Sequence, residues 1–257
     1  MEQVADNRKE KLRKILGFLD LTTLEGTDND GKVLSLCSLA LSFRAKGLPS
    51  PAAVCVYPPF VRLARTALQG SGIRVASVAG AFPSGQSPLS LRLGEVGYAV
   101  DEGADEIDMV ISRGRFLAGD YDFLREEVSA IKKICGSAHL KVILETGELM
   151  TSGNIRLASE ISIDAGADFI KTSTGKIQPA ATPEAMTVML EVIRDYFEKT
   201  GRYIGIKPAG GISTPDQALT YYTLVEKIAG AQWLDSQLFR IGASRLATGI
   251  AGELEAG

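Results

Sequence analysis

The chain has 257 residues, of which 45% are hydrophobic and 23% are charged, and this usage is typical of a folded protein with a large core. Its formal net charge of −3 provides no global positive field that would attract nucleic acid or an anionic membrane. A single histidine and three cysteines without CxxC spacing leave little material for a zinc site or a Ser-His-Asp triad. We therefore expect no metal site, and an anionic substrate must be held by a local group of residues.

The N-terminal stretch alternates charged and apolar residues and lacks the continuous apolar segment of a signal peptide. Its residues 6–14 favour a short helix, which we expect to pack outside the main body of the fold. The least charged later stretch, residues 75–91, is interrupted by glycine, serine and proline, so we expect no membrane span. A cytoplasmic location is the expected consequence.

Eight short runs rich in β-branched and apolar residues alternate with longer amphipathic segments over the rest of the chain. The runs, which we predict to be strands, are residues 18–21, 54–57, 75–78, 106–111, 141–144, 169–172, 203–207 and 239–242. The clearest intervening helices are expected at residues 31–45, 121–134, 155–165 and 184–198. This alternation indicates an α/β protein, and the length suits one (β/α)8 TIM barrel with a short additional N-terminal helix. Because no linker interrupts the pattern, we predict a single domain over residues 1–257.

A short internal repeat links two of the predicted strands. The sequence GADEID ends at Asp108, and the sequence GADFIK ends at Lys171. In each copy a helix is expected to end at the glycine, and the charged residue lies on the strand that follows. We therefore expect Asp108 and Lys171 to project comparably from their strands.

Several predicted strands carry charges, although parallel strands covered on both faces are normally apolar. The charged residues concerned are Asp20, Asp108, Lys141, Lys171 and Lys207. A buried unpaired ion is costly, so such residues either form an ion-pair network at the polar end of the barrel or serve a function. Lys141 opens its predicted strand, which favours a structural ion pair for this residue. Glu106 and Arg240 also stand near strand starts, and we assign them no role.

Lys171 and Lys207, together with Asp108, suit catalysis by an amine. A free lysine has a pKa of about 10.4 and attacks carbonyl groups poorly at neutral pH because it is protonated. Burial and the neighbouring cation of Lys207 would lower the pKa of Lys171. Asp108 would then move protons, directly or through a water, while a carbinolamine forms and a carbon is protonated.

Three glycine-containing loops follow the late strands, at residues 172–176, 208–211 and 242–244. The last two follow the seventh and eighth predicted strands, where TIM barrels often bind phosphate through backbone N–H groups and a short helix N-terminus. Glycine lets several amides converge on one anion because it has no Cβ. The loop at residues 172–176 also contains Thr172 and Lys176. Together, the three loops predict a site for a phosphorylated ligand.

Five segments closely resemble the 2-deoxyribose-5-phosphate aldolase family, a class I aldolase family. The segments are LDLTTL from Leu19, AVCVYP from Ala53, KVILETGEL from Lys141, FIKTSTGK from Phe169 and IKPAGG from Ile206. The resemblance extends from about Lys14 to Ala247. Its most specific parts are FIKTSTGK and KPAGG, in this order and spacing.

The resemblance implies reversible cleavage of 2-deoxy-D-ribose 5-phosphate to acetaldehyde and D-glyceraldehyde 3-phosphate in deoxyribonucleoside catabolism. It also implies a homodimer or homotetramer without metal or organic cofactor. Lys171 matches the family's Schiff-base lysine, Lys207 the lysine that perturbs it, and Asp108 the proton-relay aspartate. Further positions match residues that line the family's site or stand in or beside its phosphate loops: Asp20, Thr22, Cys55, Gly175, Lys176, Gly210, Gly211 and Ser244.

Two positions depart from the family pattern. Many members have a second serine after the one that matches Ser244, whereas this chain has Arg245, which either adds a phosphate contact or points outward. The sequence also ends without the terminal tyrosine that assists proton transfer in some members, so we expect that assistance to be absent or replaced.

Two other interpretations stay open. One keeps the Schiff base but changes the substrate, as in another phosphosugar aldolase or a transaldolase-like enzyme. The other is a non-catalytic barrel that binds phosphorylated metabolites and uses the lysines only as cations, which leaves the Asp108 partner unexplained. We expect a small phosphorylated sugar and aldehydes as partners, and neither nucleic acid nor a membrane.

Overall fold

Eight parallel strands form the centre of the computed structural model, which describes the backbone of residues 2–256 and the side chains of residues 7–256. The strands, numbered in chain order, are β1 (Leu19–Thr22), β2 (Ala53–Val56), β3 (Arg74–Ala79), β4 (Glu106–Val110), β5 (His139–Ile143), β6 (Phe169–Lys171), β7 (Gly205–Lys207) and β8 (Ile241–Ala243). Each overlaps one of the eight predicted runs. The predicted strand ends are therefore confirmed to within two residues.

Eleven α-helices surround the strands in the described part of the chain. They are α1 (Glu2–Gly17), α2 (Asp30–Ala45), α3 (Val61–Ala67), α4 (Leu89–Asp101), α5 (Arg113–Leu117), α6 (Tyr121–Cys135), α7 (Thr146–Leu149), α8 (Ser152–Asp164), α9 (Pro183–Thr200), α10 (Pro215–Ile228) and α11 (Leu246–Glu255). Short 3-10 helices lie at Pro58–Phe60 and Ala231–Trp233. None of the helices within residues 2–256 combines the length and the apolar character that crossing a bilayer requires.

Strands β1 to β7 pair in parallel in chain order, and β8 closes the barrel between β1 and β7. β8 pairs with β1, and isolated bridges from Ile206 to Phe239 and from Ala209 to Gly242 connect β7 to the chain around β8. The fold is therefore the (β/α)8 barrel that the sequence predicts. The carboxyl ends of its strands meet at one face, and this is the face on which barrel enzymes carry their active sites.

α1 lies outside the barrel, as predicted, but it is longer than the predicted residues 6–14. Leu12 and Ile15 are fully buried where the helix packs against α10 and α11. Arg8 adds an ion pair to Glu253, with 2.6 Å between Nε and Oε1. The charged N-terminal helix therefore carries one apolar face, which it buries against the outer helices.

Threonine caps mark the starts of two late helices. Oγ1 of Thr182 accepts a hydrogen bond from the backbone N–H of Ala185 in α9, and Oγ1 of Thr214 accepts one from Gln217 in α10. In both helices a proline with a compatible φ stands at the first position. These helices follow β6 and β7, so their caps define where the loops after those strands end.

One charged residue lies at a different position in its strand from our sequence-based prediction, and two others have contacts that the prediction did not assign to them. Lys141 does not open its strand, because β5 begins at His139 and Lys141 lies at its middle. Glu106 and Arg240, to which we assigned no role, have no exposed surface and contact each other inside the barrel. Their position near strand starts puts them in the lower layer of the barrel instead of in water, since side chains fill the interior of a small barrel.

Candidate active site

Lys171 ends β6, and its almost fully buried side chain lies inside the barrel near the carboxyl ends of the strands. Its Nζ lies 2.8 Å from Oδ2 of Asp108 on β4. The pairing register of β6 and β7 sets Lys171 directly beside Lys207. The two charged residues of the internal repeat therefore meet inside the barrel.

Asp108 stands between several amines. Its Oδ2 accepts hydrogen bonds from Nζ of Lys171 at 2.8 Å and from Nζ of Lys207 at 2.7 Å. Its Oδ1 accepts a hydrogen bond from Nζ of Lys141 at 2.9 Å. None of these four side chains is more than 3% exposed. One carboxylate thus contacts three amines away from bulk water, where charge interactions are stronger than at the surface.

An ion-pair network continues from this cluster toward the amino ends of the strands. Lys141 also contacts Glu106. Arg240 joins Glu106 to Asp20, with N–O distances of 2.7 and 2.6 Å. Asp20 in turn lies 2.5 Å from Nζ of Lys207. The contacts are therefore continuous from the lower layer of the barrel to the amines near its carboxyl end.

The buried network is electrically balanced when Lys171 is neutral. Its other members are the carboxylates of Asp20, Glu106 and Asp108 and the cations of Lys141, Lys207 and Arg240. Arg74 also contacts Glu106, but it is partly exposed, so water screens its charge. A proton on Lys171 would add a buried positive charge without a carboxylate of its own, and such a charge is costly.

The two lysines beside Asp108 hold their protons unequally. Burial lowers the pKa of Lys171 below its ordinary value, and the Lys207 cation lowers it further against the opposing effect of Asp108. Burial also disfavours the charged form of Lys207, but Asp108 and Asp20 outweigh it and raise the pKa of Lys207. Against its own burial, the three lysines keep the pKa of Asp108 well below its usual range. Lys171 is therefore the amine that loses its proton first.

A cavity of about 290 Å³ opens above Lys171 at the carboxyl ends of the strands. The candidate substrate-binding residues that line it are Thr22, Gly175, Lys176, Gly210, Gly211 and Ser244. Leu24, Glu25, Ile212 and Arg245 line it as well. The glycine loops after β6, β7 and β8 therefore surround one space of a size that suits a small ligand.

Glu145 supports the loop after β6 from outside the cavity wall. Its fully buried carboxylate accepts hydrogen bonds from the backbone N–H and from Oγ1 of Thr174, at 3.1 and 2.5 Å. Arg113 contacts the same carboxylate at 3.1 Å. Glu145 also has a left-handed backbone, with φ of 56°, which a side chain rarely adopts. These contacts orient the loop that carries Gly175 and Lys176.

Three of the candidate substrate-binding residues, like Asp108 and Lys207, lie outside the cavity wall. Asp20 belongs to the network beneath Lys207. Cys55 is fully buried on β2, and burial raises the pKa of its thiol to about 11. The hydroxyl of Thr172 accepts a hydrogen bond from the backbone N–H of Ala209 at 3.0 Å and so joins the loops after β6 and β7. These side chains therefore lie beneath or beside the residues that line the cavity and support them.

Four residues of the site or its support escaped the sequence-based interpretation. Glu106 and Arg240 could have been predicted to pair, because a buried Lys141 needs carboxylate partners and buried carboxylates need cations. Glu145 lies within the KVILETGEL segment, which resembles the aldolase family, but the resemblance assigned no role to this residue. Glu25 lies on the loop after β1, and its carboxylate lies 3.0 Å from Nζ of Lys176. No sequence pattern indicates that contact.

The sequence is similar to known aldolases over most of its length. Residues 15–246 match the DeoC/LacD family of aldolases. Deoxyribose-phosphate aldolase of Homo sapiens is 47% identical over 256 residues, covering 95% of this chain and 80% of the human protein.

Solved structures share the same fold. A crystal structure from Toxoplasma gondii ME49 has a TM-score of 0.88 and 26% identity, covering 98% of this chain and 97% of that chain. The deoxyribose phosphate aldolase of Aeropyrum pernix, described as tetrameric, has a TM-score of 0.74 and 26% identity, covering 99% of this chain and 95% of that chain. The barrel is therefore common to this chain and to these structures.

Proposed function

This chain belongs to the DeoC/LacD family of aldolases, and we propose that it reversibly cleaves 2-deoxy-D-ribose 5-phosphate into acetaldehyde and D-glyceraldehyde 3-phosphate. The observation that carries the proposal is the Asp108 carboxylate held between two buried lysines of unequal pKa. A Schiff-base lyase needs a neutral amine as nucleophile, and a neighbouring cation helps to keep that amine neutral; Lys171 and Lys207 supply this pair. We assign the reaction to deoxyribonucleoside breakdown in the cytoplasm.

Lys171 starts the reaction as a neutral amine. Its lone pair attacks C1 of the open-chain sugar aldehyde, and the resulting carbinolamine loses water to give a protonated Schiff base. Asp108, at 2.8 Å from Nζ, carries a proton from the attacking nitrogen to the departing hydroxyl, directly or through a water. Lys207 keeps its proton throughout and maintains the low pKa of Lys171.

Cleavage breaks the bond between C2 and C3 of the sugar. The C3 hydroxyl gives up its proton, C3 becomes the aldehyde carbon of D-glyceraldehyde 3-phosphate, and the bonding electrons pass to C2 to form an enamine with the Schiff-base nitrogen as the electron sink. Protonation of the enamine at C2 and hydrolysis of the new Schiff base release acetaldehyde and regenerate Lys171. Asp108 is the carrier that we assign to these proton transfers.

The phosphate group binds at the glycine loops of the cavity. Gly175, Gly210, Gly211 and Ser244 line the cavity wall, where backbone N–H groups can converge on an anion. Lys176 lines the same wall and adds a positive charge. The sugar phosphate would thus extend from the loops at the rim to Lys171 at the floor.

We also propose that the enzyme is a homodimer or homotetramer, and that its partners are the sugar phosphate and the two aldehydes. Support for an oligomer comes from the aldolase of Aeropyrum pernix, which is described as tetrameric. Light scattering of the purified protein gives the assembly directly, and the mass of a monomer at all concentrations would refute the oligomer.

Reductive trapping tests the nucleophile and the substrate class together. Incubation with acetaldehyde and borohydride is expected to add one reduced ethyl group to the protein, which peptide mapping locates on Lys171. Labelling of Lys207 instead, or the absence of any specific label, would contradict the assignment. A panel of phosphorylated aldehydes separates the proposed substrate from those of other Schiff-base aldolases.

A matched pair of lysine variants controls this experiment. Lys171→Met is expected to abolish turnover and specific labelling while still binding the sugar phosphate. Lys199→Met removes an exposed lysine on α9 and is expected to change neither turnover nor the specific labelling of Lys171. If Lys171→Met lost affinity for the sugar phosphate but kept turnover, the lysine would be a binding cation and the Schiff base would be excluded.

A further inference from the structure

The mouth of the cavity carries both signs of charge. The ionisable side chains that line it are Glu25, Lys171, Lys176 and Arg245. Lys171 lies almost fully buried at the floor of the cavity, so the charges that an incoming phosphate group meets at the mouth are those of the other three. How these three are paired decides which of them is free to select a phosphorylated substrate.

Lys176 already has a carboxylate partner. Its Nζ lies 3.0 Å from Oε1 of Glu25 on the loop after β1. Glu25 is 62% exposed and Lys176 is 28% exposed, so this pair bridges two loops at the open side of the cavity. The Glu25 carboxylate neutralises the ammonium group, and it also repels a phosphate dianion that approaches the same atoms.

Arg245 is the cavity cation without such a partner. It directly follows Ser244, is exposed, and stands at the start of α11. Among the side chains of residues 7–256, no carboxylate forms an ion pair with it. Its guanidinium group presents parallel N–H donors that match two phosphate oxygens, which a lysine ammonium group does not.

We propose that Arg245 selects the phosphorylated form of the substrate, and that Glu25 keeps Lys176 neutralised until the phosphate group displaces its carboxylate. This role depends on the proposed function, since it concerns the same cavity. The phosphate group docks on Arg245 and the loop amides first. The phosphate group then replaces the Glu25 carboxylate as the partner of Lys176. Because that ion pair must break first, Lys176 adds less to phosphate binding than an unpaired cation would.

Arg245→Ser tests the first part with two substrates, 2-deoxyribose 5-phosphate and 2-deoxyribose. The variant is expected to raise KM for the phosphorylated sugar by about tenfold or more, because a charge-assisted contact is lost, with kcat changed by less than about twofold. For 2-deoxyribose, kcat/KM is expected to stay within about twofold. The inhibition constant of inorganic phosphate against 2-deoxyribose cleavage is expected to rise as much as KM does.

Two further variants control for charge and folding. Arg125→Ser removes an exposed arginine of α6, so it makes the same change in net charge away from the cavity, and all constants are expected to stay within about twofold. Arg245→Lys keeps the charge but not the paired donors, and an intermediate KM is expected. An unchanged melting temperature would show that each variant is folded.

Glu25→Gln tests the second part. Removal of its charge frees Lys176, so KM for the phosphorylated sugar is expected to fall by about twofold to fivefold, and this gain is expected to vanish in the Glu25→Gln, Lys176→Met double variant. An unchanged or higher KM in Glu25→Gln would overturn the role of Glu25. Equal effects of Arg245→Ser on both sugars, or no effect, would overturn the role of Arg245. Failure of the unmodified enzyme to cleave the phosphorylated sugar would instead refute the proposed function.

Discussion

At the scale of single residues, the number of carboxylates around each lysine decides which of the two loses its proton more easily. Nζ of Lys207 lies 2.7 Å from Asp108 and 2.5 Å from Asp20, whereas Nζ of Lys171 contacts Asp108 alone. Two carboxylates hold the proton of Lys207, and the shared one is not enough to hold a second proton on Lys171. Two lysines side by side on neighbouring strands thus hold their protons unequally.

Asp108→Asn tests the proton carrier. An amide cannot accept and return a proton as a carboxylate does, so kcat is expected to fall by about 100-fold or more. The KM for the sugar phosphate is expected to change little, because Asp108 does not line the cavity. Steady-state kinetics give both constants, and a kcat within about tenfold of the unmodified enzyme would exclude Asp108 from the proton transfers.

The sequence indicates some residues of the site and hides others for a physical reason. Asp108, Lys171 and Lys207 lie in the middle or at the end of short apolar runs, where a charge has few explanations besides pairing or function. Glu106 and Arg240 lie at or near the starts of such runs, and that position does not reveal whether a side chain points inward. That direction depends on how the strands tilt and stagger when the barrel closes.

At the scale of secondary-structure elements, the loops after β6 and β7 pack against each other through glycines. Gly210 and Gly211 both have positive φ, at 86° and 80°. A Cβ on Gly210 would lie 2.6 Å from Cβ of Ala180 and 2.9 Å from Cα of Gly175, whereas a Cβ on Gly211 would meet nothing within 4 Å. A side chain at either position would therefore strain the backbone, but only at Gly210 would it also collide with neighbouring atoms.

Alanine at each of the two glycines separates these effects. Gly211→Ala is expected to cost about 1 kcal/mol of folding free energy, because only the backbone is strained. Gly210→Ala is expected to cost about 1–3 kcal/mol more, and to raise KM for the sugar phosphate, because the loops must move apart. Denaturant unfolding and steady-state kinetics check both, and equal effects of the two variants would contradict the packing argument.

The elements themselves are predictable to a greater extent than the contacts between their loops. Strand boundaries follow from short local runs of apolar residues, which explains their agreement to within two residues. The pair of Glu25 and Lys176 joins loops that are far apart in sequence and adjoin only after the barrel closes. No local pattern encodes such a contact.

At the scale of the whole molecule, the buried ion network joins opposite sides of the barrel. Arg240, just before β8, contacts Asp20 on β1 and Glu106 on β4. Glu106 connects to Lys141 on β5 and so to Asp108 on β4, beside Lys171. The same charges that support the lower layer of the barrel therefore set the electrostatic balance at Lys171.

Arg240→Met tests this double role. The variant leaves two buried carboxylates without their shared cation, so the free energy of unfolding is expected to fall by about 3–5 kcal/mol. Arg62→Met, which breaks the exposed pair with Glu102, is expected to have a much smaller effect. Denaturant unfolding of both variants gives the comparison. An Arg240→Met variant as stable as Arg62→Met would show that the buried network does not support the barrel.

The lowered pKa of Lys171 is tested most directly by the pH dependence of Schiff-base formation. The rate of adduct formation with acetaldehyde, trapped by cyanoborohydride and mapped to Lys171, is measured from about pH 5 to pH 11. The rate rises as the amine loses its proton, so a lowered pKa moves the midpoint to lower pH. We expect a midpoint clearly below the value of about 10.4 for a free lysine, and a midpoint at or above it would contradict the account.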